Sequence, residues 1–158
     1  MAVVSAGILL YRHDDGSGVS VLLAHMGGPF WARKDSGAWS IPKGELDGEE
    51  PPLEAARREF REELGVDPPA GDYAELGTFV YGSGKRVVVF VADGSGFAPS
   101  EYSFGTFEME WPPRSGTRQS FPEVDRVEWM RIDEAAERLV AGQRPALQRL
   151  SDLLEAAR

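Results

Sequence analysis

Cysteine is absent from the 158 residues, and histidine occurs twice, as His13 and His25. The first absence excludes disulfides, thiol nucleophiles and sulfur-ligated zinc, and it fits a reducing compartment such as the cytoplasm. Neither histidine has a partner at metal-ligand spacing, and His25, entering the stretch MGGPFW, is expected to serve structure. Basic charge is also scarce: 17 Lys and Arg stand against 26 Asp and Glu, a formal net charge of −9. A cationic surface for duplex nucleic acid is therefore not expected. Small anionic substrates stay compatible with this balance wherever a bound cation reverses the local field. The one notable apolar run, in MAVVSAGILLYRHDDG, has no basic leader and is too short to cross a bilayer, so it reads as a buried strand. A Walker loop and a dinucleotide fingerprint are missing, and Ser36 and Ser83, both beside glycines, lack the nucleophile-elbow pattern. Repeats, low-complexity tracts and interdomain linkers are missing too.

What is present is ordinary for a globular chain, with 42% hydrophobic and 27% charged residues. The length suits one domain over residues 1–158. Ala2–Tyr11 and VSVLLAHM read as two strands joined by the turn residues HDDGSG, a hairpin whose apolar content places it centrally in a sheet. A Gly- and Pro-punctuated loop follows, with a short extended piece at Trp39–Ile41. A helix is predicted over Pro52–Leu64, started by Pro51 and Pro52 and stopped by Gly65. DYAELGTFVYGSGKRVVVFVADG gives two strands around GSGK, GTFEMEW and VDRVEWMRI give two more, and helices close the chain at Asp133–Val140 and Pro145–Ala157. WPPRSGTRQSFPE reads as a shaped surface loop. The pattern is a mixed α/β domain.

The helix poses a physical problem. Leu53, Ala56, Phe60 and Leu64 form an apolar stripe, and beside it Glu59, Glu62 and Glu63 cluster at helical neighbour spacing. Like charges so placed repel, and near a helix C-terminus they also oppose the helix dipole. By angle, Arg57, Arg58 and Arg61 project away from this patch, while Glu54 and Arg58, four apart, are spaced to pair. Such a conflict is resolved by a cation, and carboxylate oxygens suit hard Mg²⁺ or Mn²⁺. A solvated acidic face is the alternative. The spacing is not that of an EF-hand.

Gly44 is followed after five residues by Glu50, and after seven more by Arg58-Glu59, Phe60, Arg61, Glu62-Glu63, Leu64, Gly65 and Val66. This stretch resembles the Nudix box, GX5EX7REUXEEXGU with U a bulky apolar residue, at every fixed position. The resemblance implies an α/β/α sandwich with a central mixed β-sheet. It also implies metal-dependent hydrolysis of a phosphoanhydride in a nucleoside di- or polyphosphate derivative, by water attack at phosphorus. Carried over by position, Glu59, Glu62 and Glu63 are implied ligands of Mg²⁺, with Mn²⁺ as substitute, and the carbonyl of Gly44 is a further one. Arg58 is implied to orient a box carboxylate, and Glu50 to support it.

Outside the box, Glu123 stands at the mouth of a strand, where similar enzymes place a glutamate as ligand or general base; Glu110 and Asp125 are its competitors. Lys43, directly before the box glycine, resembles diadenosine-polyphosphate and diphosphoinositol-phosphate hydrolases and is a candidate phosphate contact. Arg33, Lys34, Lys85, Arg86, Arg114 and Arg118 lie in or beside loops as further candidates, and Trp31, Tyr81, Tyr102 and Phe104 are candidates for stacking on a base. A dinucleoside polyphosphate is the first substrate expected, then a nucleoside triphosphate. The expected partner is a phosphorylated small molecule, with no membrane and a monomeric or homodimeric chain. Four other readings remain: a silent nucleotide-sensing module of the same fold, a hydrolase of a diphosphoinositol phosphate, an interaction protein whose acidic helix is a partner surface, and an isomerase variation on the fold, which the absence of cysteine disfavours.

Overall fold

The computed structural model describes residues 3–16 and 18–157. Ala2, assigned above to the first strand, and Ser17 of the following turn lie outside the described residues. In chain order the elements are β1 (Val4–His13), β2 (Val19–Met26), β3 (Trp39–Ser40), β4 (Lys43–Glu45), α1 (Pro52–Leu64), β5 (Ala74–Val80), β6 (Arg86–Asp93), β7 (Thr106–Glu110), β8 (Arg118–Pro122), β9 (Val124–Arg131), α2 (Ile132–Arg138) and α3 (Pro145–Ala156). A short 3-10 turn, Ala141–Gln143, joins the last two helices.

β1 lies at the centre of a mixed sheet, parallel to β6 from Val4↔Arg86 to Tyr11↔Asp93, and β5 runs antiparallel outside β6. Both faces of β1 are covered, which explains why its sequence is continuously apolar instead of alternating. Ile8 and Leu10 pack with Leu22, Phe90 and the α1 residues Ala55, Ala56, Phe60 and Leu64. Leu9, on the other face, packs with Leu23, Val89, Trp39 and the C-terminal residues Leu139, Ala146, Leu147 and Leu150. Helices therefore cover both faces of a mixed sheet, the α/β/α sandwich expected above. Burying a side chain of the size of Phe60 stabilises this arrangement by about 1.5–3 kcal/mol.

The opening hairpin forms as expected but parts early. β1 and β2 pair only from Tyr11↔Val21 to His13↔Val19. Below that point β1 takes β4 at Ser5–Gly7 and β2 takes β3 at Ala24–His25, while β9 runs along the other edge of β2 over Ser20–Met26. The parting leaves β2 and β3 on one side and β4 on the other, and α1 lies beside β4.

Two strands differ from the sequence reading. β4 sits inside the segment assigned to loop: it has only three residues, and its Gly and flanking Pro read as punctuation. It pairs with β1 where Gly7 lets the backbone approach, since a Cβ at that position would stand 2.7 Å from Lys43 Cβ. β8 lies within the segment read as surface loop. It pairs with β7 from Thr106↔Pro122 to Glu110↔Arg118 as a separate two-stranded ribbon, so GTFEMEW does not join the main sheet. A ribbon exposed on its β8 side needs no apolar alternation, and RQSFP shows none.

His25 is fully buried in β2, its Nδ1 2.8 Å from Asp125 Oδ1 on β9 and its Nε2 2.6 Å from the Lys34 carbonyl. It ties the loop after β2 to the sheet, the structural role anticipated. His25→Ala strips both oxygens of their partner and leaves a cavity, so we expect a loss of about 2–4 kcal/mol in urea unfolding. A change below 0.5 kcal/mol would remove this tie from the account.

Candidate active site

α1 forms over the predicted residues, with Pro at its first turn and Gly65 at φ 72°, ψ 12° closing it by an N–H bond to the Arg61 carbonyl. The chain then returns over the helix end: Ser103 N–H donates to the Leu64 carbonyl, which the dipole and the unpaired carbonyls favour. The buried stripe is Ala55, Ala56, Phe60 and Leu64, with Leu53 only half-buried at its margin. That stripe turns Glu59 and Glu63 toward the parting of β1 and β2.

A cleft of about 430 Å³ opens there, lined by Ala24 and Met26 of β2, Ser40 of β3, Lys43, Gly44 and Glu45 of β4, Glu59 and Glu63 of α1, and Glu123 with Val124. Glu123 is held at the β8–β9 junction by two main-chain bonds: its N–H donates to Gly105 and its carbonyl accepts from Gly27. Of the residues named from the sequence, Lys43, Gly44, Glu59, Glu63 and Glu123 are thus brought together. Glu62 stays on the rim, its side chain 58% exposed. Arg33, Lys34, Lys85, Arg86, Arg114 and Arg118 are not among the lining residues. Asp125 is engaged by His25, and Glu110 accepts the backbone N–H of Arg114.

Gly44 is required by contact: a Cβ there would overlap the carboxyl of Glu59. Burial raises the Glu63 carboxyl to about 8, with Glu59 and Glu123 adding to the shift and Lys43 opposing it. It accepts a hydrogen bond from the Lys43 N–H, at 3.3 Å. Burial also raises Glu59, against the pull of Arg58. Glu63 is therefore poorly compensated as an anion by the protein itself, whereas Glu59 keeps an ion pair with Arg58.

Arg58 departs from the angular reading, which sent it away from the carboxylates and paired it with Glu54. Its guanidinium instead forks onto Glu50, at 3.0 Å from Nε and 2.9 Å from Nη2, and Nη1 donates to Glu59 at 2.8 Å and Glu62 at 3.2 Å. Nη2 also donates to the Glu45 carbonyl. The long side chain reaches back because Glu50 and Glu45 wait in the segment before the helix, which helical angles alone do not include. The Glu50 bond raises Arg58 further above its usual range, and Arg58 in turn lowers Glu50.

Among the stacking candidates, Tyr81 accepts from Gln143 Nε2 at 2.7 Å on the far face, and Tyr102 and Phe104 stack on each other against the core under α1. Trp31 lines a second, apolar pocket of about 410 Å³ with Phe30, Phe107 and Met109, none of which except Trp31 was singled out from the sequence. The alternation in GTFEMEW puts Phe107 and Met109 on one face, but it reads as core until the ribbon is seen to stand apart.

The lining of the first cleft fits a hard divalent cation. All its strong donors are carboxylate oxygens, and the least compensated of them is nearly buried. Among the described residues no three acidic or histidine side chains converge tightly enough to hold an ion as they stand. Arg58 engages the Glu59 and Glu62 oxygens that would have to turn inward.

Residues 1–150 match the NUDIX domain family, and the chain belongs to that family. Among curated proteins it is similar to the RNA pyrophosphohydrolase of Gluconacetobacter diazotrophicus, 42% identical over 60 residues, 38% of this chain and 29% of the relative. The RNA pyrophosphohydrolase of Halorhodospira halophila is 43% identical over 61 residues, 37% of this chain and 33% of the relative. The matched stretch thus spans about a third of these relatives. Among solved structures, the Caenorhabditis elegans Ap4A hydrolase in a binary complex shares the fold at TM-score 0.61 and 19% identity, over 98% of this chain and 99% of that one. The NUDIX domain of Shewanella oneidensis NrtR, complexed with ADP ribose, does so at 0.64 and 16%, over 98% and 89%. Among the described residues no helix is long and apolar enough to cross a membrane.

Proposed function

We propose that this chain, acting as a single domain, is a metal-dependent hydrolase of phosphoanhydride bonds in nucleoside polyphosphates. The observation that carries the reading is the gathering of Glu59, Glu63, Glu123 and Lys43 around one cleft, with burial raising Glu59 and Glu63. Glu59, Glu62, Glu63, Glu123 and the Gly44 carbonyl would hold Mg²⁺, or Mn²⁺ in its place. When bound, such an ion neutralises phosphate oxygens and acidifies water. The remaining work falls to the chain. Arg58 fixes the Glu59 and Glu62 carboxylates, Lys43 offers a point charge to a phosphate, and Glu123 is positioned to accept a proton from the attacking water. Arg33 and Lys34, outside the cleft lining, are further candidate phosphate contacts. The relatives named as Ap4A hydrolase and RNA pyrophosphohydrolase support nucleoside polyphosphates as the class, with a dinucleoside polyphosphate first.

A panel of diadenosine polyphosphates, nucleoside triphosphates, a 5′-triphosphate RNA, ADP-ribose and diphosphoinositol phosphates tests this in Mg²⁺ and in EDTA. Turnover of the first three classes only in Mg²⁺ is expected. Binding without turnover would favour the silent sensing module, and turnover confined to diphosphoinositol phosphates would replace the nucleotide class.

Gly44→Ala supplies a finer check. The added methyl displaces the Glu59 carboxyl while the backbone needs no change, so kcat should fall about tenfold with little loss of stability. Unchanged kcat would mean that Glu59 needs no fixed position.

A further inference from the structure

The parting of β1 and β2 leaves a stretch of buried main chain without a strand beside it. β3 pairs with β2 as far as Ala24↔Ser40, and β4 meets β1 from Gly7↔Lys43, so Ile41 and Pro42 cross between the two. Pro42 has no N–H, and its carbonyl accepts from the Ile8 N–H at 3.1 Å. Ile41 is fully buried, and side chains meet both of its main-chain groups. Its N–H donates to Gln143 Oε1 at 2.8 Å, and its carbonyl accepts from Ser40 Oγ at 2.8 Å. We infer that Gln143 is a positioning residue of the carboxylate cleft: its buried amide stands in for the missing strand and holds Lys43 and the Gly44 carbonyl in place. This inference deepens the proposed function and rests on it.

The geometry of the amide supports it. Gln143 is fully buried in the short turn between α2 and α3, where an unpaired amide would be costly. The Ile41 N–H can only donate, which fixes Oε1 toward it and leaves Nε2 facing two hydroxyls, Ser40 Oγ at 2.9 Å and that of Tyr81 at 2.7 Å. The turn is itself seated. The Val140 N–H donates to the Trp39 carbonyl, and Tyr81 lies so close to Gly142 that a Cβ there would overlap its ring. Gln143 thus joins a fixed turn to the residues just before β4.

Those residues lead straight into the cleft. Ser40 lines it, and so do Lys43 and Gly44, which follow Ile41 and Pro42 in the chain. Gly44 packs against the Glu59 carboxyl with no room for a methyl between them, so a strip free to slide would carry the Gly44 carbonyl and Glu59 out of register. A misplacement on the order of 1 Å in a site of this kind costs up to about a hundredfold in rate. Gln143 is not among the lining residues, so it acts only through the residues it holds.

The test compares Gln143→Met, which keeps length and bulk but offers Ile41 no acceptor, with Tyr81→Phe, which removes only the outer partner of the same amide. Both should lower the melting temperature, since each leaves a buried polar group unpaired. Only Gln143→Met should lower kcat, by about tenfold, and raise the Mg²⁺ concentration needed for half-maximal turnover. Without metal or substrate, amide hydrogen exchange at Lys43 should be about tenfold faster in Gln143→Met, measured against the Phe60 amide on α1 to correct for global stability. Gln143→Asn, one methylene shorter, should act in the same direction and serves if the methionine variant does not fold. Unchanged kcat and Mg²⁺ requirement in the Gln143 variants, whatever their melting temperatures, would reduce Gln143 to a structural tie and overturn the inference. An equal loss of kcat in Tyr81→Phe would overturn it too, as would a fall in kcat with Lys43 exchange unchanged. A wild-type chain without Mg²⁺-dependent turnover would instead remove the hydrolase reading, and this inference with it.

Discussion

Glu63→Gln should stabilise the metal-free protein at pH 8.5 and lower hydrolysis in Mg²⁺ by about a hundredfold or more. The two effects have one cause. Burial raises the Glu63 carboxyl from 4.5 to about 8 in the folded chain, so folding favours the protonated form. Below 4.5 both states hold the proton and there is no penalty. As pH rises through 8 the folded protein loses that advantage and carries a buried anion. At about 1.4 kcal/mol per pKa unit, the cost reaches a few kcal/mol on the alkaline side. Glutamine keeps the shape and still accepts the Lys43 N–H, but has no proton to lose. The melting temperatures of the two proteins in EDTA should coincide near pH 4 and diverge toward pH 8.5 in favour of the variant, each kcal/mol being about 2–4 °C for a chain of this size. Mg²⁺ should reverse the order, since a cation compensates the wild-type carboxylate and gives the amide less. A variant less stable than wild type at pH 8.5 without metal would show that this carboxylate is not costly to bury.

The sequence makes legible those parts of the molecule that local chemistry specifies. α1 begins and ends where Pro52 and Gly65 demand, because those residues restrict the backbone whatever packs around them. β1, β2 and β6 are dense in apolar residues because helices cover the sheet. β4 is not legible: three residues flanked by loop chemistry become a strand only because Gly7, far off in sequence, accepts Lys43. The same limit hides the cleft itself, which depends on β1 and β2 parting after three paired residues. Glu59, Glu63 and Glu123 could be named from pattern and position, but their gathering is a property of the sheet. The apolar pocket lies further out of reach, since it needs the Gly27–Gly28 loop to close on a ribbon that RQSFP does not announce.

Arg58 shows how far a helical wheel can mislead about a long side chain. The wheel turns it from Glu59 and Glu62, yet it touches both, because Glu50 and the Glu45 carbonyl anchor the other end of its guanidinium. The planar fork bridges the pre-helix segment to two carboxylates at once, which a single ammonium does not reproduce. Arg58→Ala should therefore strip Glu50 of its ion pair, leaving only the Asp47 N–H, and let Glu59 and Glu62 repel, lowering kcat about a hundredfold and weakening Mg²⁺ binding. Arg58→Lys should recover little of this, because one point charge cannot hold Glu50 and Glu59 together. Separating positioning from direct contact needs a second readout. If Arg58 acts through the carboxylates, the loss appears in kcat and in the Mg²⁺ requirement, while KM for substrate at saturating Mg²⁺ changes little. If it touches phosphate instead, KM rises at every Mg²⁺ concentration and the Mg²⁺ requirement stays as it was, and the positioning role would have to be withdrawn.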